Sequence, residues 1–207
     1  MLFRSPAAAV AYARHAIDTP ESLGEARHLL ANCADLYLFL GDALDASGDH
    51  TGAASAWQTA ADFQGDFQQM ATMWASDVTY YSVLAARRLG STGLSDGLMG
   101  RLRDFLNHLE TTTPKVDYFA TSLPAMLLFE SDLVTEQQIT RFIVAGQIAL
   151  LDDDATVAGQ ALQTALDLDP GNARAWAMSQ AADKHEWPKS GKFAGARLRK
   201  GAKEENL

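Results

Sequence analysis

The feature that most constrains the fold is a set of small and large residues that occurs twice with the same spacing. The first set contains Gly41 and Trp57, and the second contains Gly146 and Leu162. Glycine and alanine allow two helices to approach closely, while large side chains fill the space between successive helix pairs. Apolar residues recur with helical rather than alternating periodicity in almost every segment. The spacing therefore predicts paired helices and no sheet.

Both sets match the 34-residue tetratricopeptide pattern, in which two helices form one hairpin. The first frame opens at Ala34 and contains Tyr37, Leu40, Gly41, Leu44, Ala53, Trp57 and Ala60, with Gly48 in the turn. The second frame opens at Ile139 and contains Phe142, Ala145, Gly146, Ala149, Ala158, Leu162, Ala165 and Pro170. The two frame glycines lie 105 residues apart, close to three repeats of about 34 residues. The first frame predicts a helix that ends at Ser47-Gly48 and a second helix over 51–63.

Capping residues and apolar periodicity predict further helices in the rest of the chain. Ser5-Pro6 predicts the cap and first residue of an alanine-rich helix that runs towards Asp18. We expect a long helix over 68–89, a flexible linker over 90–97, and a shorter helix over 98–109. Thr135–Gln138 has the sequence of a capping box, and Trp176 takes the first large position of a following helix. The predicted fold class is all-α: tetratricopeptide-like stacked helical hairpins, a right-handed α-solenoid, over residues 1–187.

An irregular insert around 111–134 interrupts this pattern, and it holds most of the candidate binding residues. They are Asp117, Tyr118, Phe119, Thr121 and Ser122, with Asp66 and Tyr81 expected nearby. Aromatic rings beside carboxylates and hydroxyls suit sugar or peptide recognition. Alternatively, the insert folds back and fills the concave face, with its aromatic residues as core anchors.

Two further candidates lie nearer the N-terminus. Glu25 and His28 are one helical turn apart, so both side chains would lie on one face of a helix. They form either a surface pair or the polar wall of a pocket.

Charge is distributed unevenly along the 207 residues, whose net charge is −9. Residues 1–183 contain 10 basic and 23 acidic side chains, whereas seven basic residues lie between Lys184 and Lys203. The acidic body argues against nucleic-acid binding. We expect 188–207 to be a basic, disordered tail. The alternative is a basic arm that binds a nucleic acid or the acidic body of a neighbouring molecule.

Composition excludes several classes of protein. A single cysteine, Cys33, rules out an intramolecular disulfide framework. No apolar run is long enough to span a bilayer, and the N-terminus lacks the apolar core of a signal peptide. These features predict a cytoplasmic protein that has no membrane contact.

The sequence contains none of the common catalytic motifs: no nucleotide-binding loop, no Gly-x-Ser-x-Gly and no His-Glu-x-x-His. Asp152, Asp153 and Asp154 either bind a hard cation or cap the next helix, and we favour the cap. We therefore predict no catalytic residues, no cofactor and no metal.

Several short stretches resemble one known family. They are 25–30 (Glu-Ala-Arg-His-Leu-Leu), 65–68 (Gly-Asp-Phe-Gln), 79–82 (Thr-Tyr-Tyr-Ser), 117–124 (Asp-Tyr-Phe-Ala-Thr-Ser-Leu-Pro) and 127–130 (Leu-Leu-Phe-Glu). They resemble the C-terminal tetratricopeptide-like region of large bacterial proteins that contain a domain of unknown function. In that family a β-rich, sugar-enzyme-like region precedes this part, and the 207 residues do not include it. The resemblance spans residues 20–180 and implies an all-α repeat fold and a link to carbohydrate metabolism. It supplies no catalytic residues.

Two functions follow as expectations. The first is a non-catalytic helical-repeat module that mediates protein–protein or intramolecular domain interactions. Its partner would be a protein or peptide, a missing N-terminal domain, or a second copy of the chain. The acidic body favours a basic or neutral partner. The alternative is an accessory helical domain of a carbohydrate-active enzyme that contributes to a sugar-binding site.

Overall fold

The computed structural model describes residues 5–18, 31–63, 65, 73–114 and 132–183, which form eight helices. They are α1 (Pro6–Ile17), α2 (Ala34–Ser47), α3 (His50–Asp62), α4 (Thr79–Arg88), α5 (Thr92–Thr111), α6 (Leu133–Leu151), α7 (Ala155–Leu168) and α8 (Ala173–Asp183). The predicted all-α class is confirmed for these ranges. In α1, Ser5 caps the helix and Pro6 is its first residue, as the sequence predicts.

Short turns join the helices of each predicted hairpin. Gly48 ends α2 in the left-handed conformation, with φ of 90°, and its N–H donates to the carbonyl of Asp45. Asp49 then accepts a hydrogen bond from the N–H of Gly52 and caps α3. In the second hairpin Asp154 caps α7 by accepting from the N–H of Val157. Asp154 therefore has the capping role that we favoured from the sequence.

Close helix contacts occur where the two frames place their glycines. A Cβ atom added to Gly41 would lie 2.4 Å from Cδ1 and Nε1 of Trp57. A Cβ added to Gly146 would lie 2.8 Å from Cγ of Leu162. Both glycines thus allow the two helices of a hairpin to touch, which confirms the predicted pairing of α2 with α3 and of α6 with α7.

The helices pack in a regular order. Among the described helices, each contacts only those one or two positions away in this numbering. The even-numbered helices α2, α4, α6 and α8 each contact the next even-numbered helix, whereas the backbones of two odd-numbered described helices do not come close together. We call these four helices the even row. Within this row α4 is central, and every residue over 79–86 is buried.

The predicted helix over 68–89 is wrong over 73–78, and 68–72 lie outside the described residues. Residues 73–78 are not helical, and α4 begins at Thr79. The Thr79 hydroxyl accepts a hydrogen bond from the N–H of Ser76, and the Ser76 hydroxyl donates to the carbonyl of Gly65. These local side-chain hydrogen bonds hold the backbone in a turn and compete with a continuous helix.

The predicted flexible linker over 90–97 is also wrong. Gly90 ends α4 with φ of 70°, but α5 begins at Thr92 and includes Gly93 and Gly97. Glycine weakens an isolated helix. Here burial of one face of α5 against the core overrides that preference. The buried residues of α5 are Ser95, Leu98, Met99, Leu102 and Phe105.

The insert around 111–134 lies mostly outside the described residues, which stop at 114 and resume at 132. Its margins are helical, because α5 extends to Thr111 and α6 begins at Leu133. The capping prediction at Thr135 is wrong, since Asp132 caps α6. Its carboxylate accepts from the N–H groups of Val134 and Thr135 and from the Thr135 hydroxyl. These hydrogen bonds lower the pKa of Asp132.

Candidate functional site

Tyr81 is the only one of the nine predicted binding residues that lies within the described ranges. Asp117, Tyr118, Phe119, Thr121, Ser122, Asp66, Glu25 and His28 all fall outside them. The proximity of the insert to Tyr81 therefore stays a prediction. The surroundings of Tyr81 on the even row define the site described next.

Six residues around Tyr81 are linked by ring contacts, an ion pair, a hydrogen bond or an electrostatic interaction. We call them the Arg174 cluster. Asp35 and Phe39 come from α2, Asp77 from the turn before α4, Tyr81 from α4, Gln147 from α6, and Arg174 from α8. The even row thus brings together residues that are up to 139 positions apart in sequence. The cluster exists only when all four helices are assembled.

Arg174 is the positive centre of the cluster. Its guanidinium forms an ion pair with Asp77 and lies 6.0 Å from the centroid of the Tyr81 ring. Burial lowers the pKa of Arg174, and the nearby negative charge of Asp35 opposes that shift. Arginine remains protonated in proteins. The cluster therefore has one fixed positive charge beside two carboxylates.

Tyr81 and Phe39 form the aromatic part of the cluster. Their rings meet edge to face, with 6.0 Å between centroids. Burial raises the pKa of Tyr81, and the charge of Asp35 raises it further, so the phenol stays neutral. Tyr81 is buried whereas Phe39 is 49% exposed. Half of an apolar ring is thus open to solvent beside a fixed charge network.

Gln147 links α6 to the loop before α4. Its side chain is fully buried, and its Nε2 donates a hydrogen bond to the carbonyl of Asp77 at 2.9 Å. Its Oε1 is buried without a hydrogen-bond partner. A buried acceptor left unpaired costs about 1–3 kcal/mol.

This combination of groups is suited to binding. The Arg174 cluster contains no histidine, cysteine or lysine, and none of its side chains pairs a nucleophile with a base. Its carboxylates are positioned to accept hydrogen bonds from a ligand, and Phe39 offers an apolar surface. In the part of the chain that the structure describes, no three His, Cys, Asp or Glu side chains are grouped to hold a metal ion.

A second network, centred on Asp42, is structural. The Oδ1 atom of Asp42 accepts from Nε1 of Trp57 and from Nε of Arg88, each at 3.1 Å. Burial raises the pKa of Asp42, and the positive charge of Arg88 opposes this. The network joins α2, α3 and α4, and its side chains are mostly buried. It fixes the first hairpin against the centre of the even row.

The sequence contained one overlooked signal for the Arg174 cluster. Asp35 is the second residue of the frame that opens at Ala34, two positions before Tyr37. Arg174 stands two positions before Trp176, which is the matching position of the following frame. Equivalent positions of repeats lie on the same face of a stack, so aligning the frames would have predicted one face for these two charges. Gln147 and Asp77 had no comparable signal.

The raised pKa of Tyr81 predicts a loss of stability at alkaline pH. A tyrosine in the unfolded chain releases its proton near pH 10, about its ordinary pKa, whereas buried Tyr81 keeps it. Above this pH the folded state binds more protons than the unfolded state, so the free energy of unfolding falls as pH rises. Burial raises the pKa of Tyr80 too, so Tyr81→Phe should remove part of the decline. Urea unfolding between about pH 8 and pH 11 measures it.

The matched control is Tyr12→Phe in α1, because the Tyr12 side chain is 64% exposed. This variant should keep the alkaline decline of the original protein. An unchanged slope in Tyr81→Phe would contradict the burial of this phenol.

Comparison with known proteins gives no match: no protein-family model matches the sequence, and searches of curated proteins and of solved structures find nothing similar. The resemblance to the bacterial family therefore stays a prediction. None of the helices in the described ranges has the length and apolar character needed to cross a bilayer.

Proposed function

We propose that the protein is a non-catalytic helical-repeat module that binds a peptide segment of a partner protein along its even row. This proposal includes tetratricopeptide-like stacking of the hairpins. It is supported by one observation above the others: the Arg174 cluster is built from all four even-numbered helices and places charged and aromatic groups on one surface.

The packing order supports a curved stack. The backbone of each even-numbered helix lies close to that of the next even-numbered helix, whereas among the described helices the backbones of α3, α5 and α7 lie close only to those of their neighbours in the chain. Helices on the inner side of a superhelix lie closer together than those on the outer side. The even row would therefore line the concave side, which is where helical-repeat proteins hold extended ligands.

The charge of the described residues favours a neutral or basic peptide. These residues include 18 acidic side chains but only seven arginines and no lysine. Within the Arg174 cluster the charges of Asp35 and Asp77 exceed that of Arg174 by one unit. A basic peptide would associate faster at low salt, because its attraction to the acidic surface is screened as ionic strength rises.

Selection of random peptides displayed on phage against the full chain tests this proposal. We expect enriched peptides to lose at least about tenfold in affinity with Phe39→Ala or Arg174→Gln, since each change removes a central contact. Val157→Ala on α7 is the matched control, because Val157 is 48% exposed but belongs to an odd-numbered helix. Fluorescence anisotropy of synthetic peptides gives the dissociation constants.

Two results would contradict the proposal. One is the absence of any enriched peptide, and the other is a set of peptides that binds Phe39→Ala, Arg174→Gln and Val157→Ala equally well. Circular dichroism of each variant checks that a loss of binding does not come from unfolding.

A further inference from the structure

We infer that the basic segment 184–207 binds back onto its own chain, covering the outer face of α8 and the acidic turn over 152–154. This interaction is separate from the peptide site on the even row. Four observations support it: the unpartnered face of α8, the register of α8 against α6, the length of the segment and the charges on each side.

The outer face of α8 is apolar. The buried residues Ala175, Met178 and Ala182 define the side of α8 that faces the core. On the opposite side lie Ala173, Trp176 and Ala177, all exposed, together with the partly exposed polar residue Gln180. Trp176 is 59% exposed and supplies most of the apolar surface. α8 is also the last described helix of the stack, so no further described helix covers this face. The ends of a repeat stack need such a cover for solubility.

The register between α6 and α8 places the start of the segment beside the acidic turn. Ile143 and Ala175 share one hydrophobic cluster, and Nε2 of Gln147 lies 3.9 Å from Sδ of Met178. Both pairs are offset by 31 or 32 positions, so α6 and α8 run in the same direction. The same offset brings Asp183 level with Asp152. The basic segment therefore starts next to the turn between α6 and α7.

The segment is long enough to cover α8. It contains 24 residues, which would span about 80 Å when extended, whereas the 11 residues of α8 span only about 16 Å. A proline disfavours helical backbone at the residue before it, and the segment contains Pro188, so the inferred path need not continue the axis of α8. It can then return along the outer face, with Trp187 and Phe193 available to contact Trp176.

The charges on the two sides are complementary. The segment contains seven basic residues, of which the first three are Lys184, Lys189 and Lys192. The acidic side consists of Asp152, Asp153 and Asp154, which are all exposed. Arg103 pairs with Asp152, which leaves this turn with a net negative charge. Attraction between a basic segment and an acidic surface on one chain is strengthened by the high local concentration that the covalent link provides.

Carbodiimide cross-linking of the full chain tests this inference, because it joins only amines and carboxylates that are in direct contact. We expect cross-links from Lys184, Lys189 or Lys192 to residues 152–154, and none to Asp49 in the turn between α2 and α3. A mixture of ¹⁴N- and ¹⁵N-labelled chains separates links within one chain from links between copies. Mass spectrometry of the monomer fraction identifies the linked pairs.

Hydrogen exchange provides a second readout on the variant Lys184→Glu, Lys189→Glu, Lys192→Glu. Reversing these charges should make amides over 173–183 exchange at least about threefold faster, while exchange in α3 should stay constant. The inference would be overturned by an absence of links to 152–154, by links found only between copies, or by unchanged exchange in α8. The cross-links to 152–154 involve no residue of the Arg174 cluster, so their absence would leave the proposed peptide site unaffected.

Discussion

Gly41→Ala is expected to lower the free energy of unfolding by about 2–3 kcal/mol. The added methyl group would lie 2.4 Å from the indole ring of Trp57, which is too close for van der Waals contact. The ring has little freedom to move, because its Nε1 donates to Asp42, which also pairs with Arg88. Moving Trp57 would break the joint between α2, α3 and α4. Urea unfolding followed by circular dichroism measures the loss.

Gly93→Ala in α5 is the matched control. A Cβ at Gly93 meets no atom within 4 Å, so alanine should raise the free energy of unfolding by about 0.5–1 kcal/mol through its better helix propensity. The two substitutions are chemically identical and are expected to have opposite signs. A Gly41→Ala protein as stable as Gly93→Ala would show that α2 and α3 do not touch at this point.

Gly146→Ala is expected to cost about 1–3 kcal/mol in the second hairpin. Its Cβ would lie 2.8 Å and 3.0 Å from Cγ and Cδ2 of Leu162, and Leu162 is fully buried. Leu162→Ala alone should cost about 2–5 kcal/mol because it leaves a cavity. In the double variant the new methyl group would occupy part of that space. The cost of Gly146→Ala should therefore disappear in the Leu162→Ala background, as a double-mutant cycle by urea unfolding would show.

Gly159→Ala in α7 is the control for this cycle, since a Cβ there meets nothing within 4 Å. It should be neutral or slightly stabilising, and its effect should add to that of Leu162→Ala. Additive costs for Gly146→Ala and Leu162→Ala would mean that the two side chains do not compete for one space, contrary to the structure.

The two framed hairpins were predictable because their contacts are short in sequence and depend on residue size. A glycine that faces a large side chain leaves a clear pattern, as Gly41 with Trp57 and Gly146 with Leu162 show. Caps at Ser5 and Asp154 depend only on neighbouring residues, so they too were recognisable. Local rules were sufficient for these elements, although they misplaced the cap of α6, which is Asp132 rather than Thr135.

The middle of the chain was predicted less well because tertiary contacts override local preference there. Gly93 and Gly97 suggested a linker, but burial of one face of α5 keeps them helical. Apolar residues over 68–89 suggested one long helix. Hydrogen bonds between Ser76, Thr79 and Gly65 instead hold a turn before α4. Such bonds are not visible in apolar periodicity.

The candidate site was mostly missed for a related reason. The sequence singled out Tyr81, but its partners Asp77 and Arg174 are 97 positions apart and are joined only when the helices stack. Gln147 lies within a regular helix and has no local feature that marks it. Only the repeat register, which gives Asp35 and Arg174 equivalent positions, was available in advance.

Hydrogen exchange of the full chain with and without a selected peptide tests the central claim most directly, namely that the even row is the binding surface. We predict slower exchange in the peptide complex over 35–39, 77–81 and 174–178, and unchanged exchange in α3, α5 and α7. Protection of the odd-numbered helices, with none at these three segments, would contradict it.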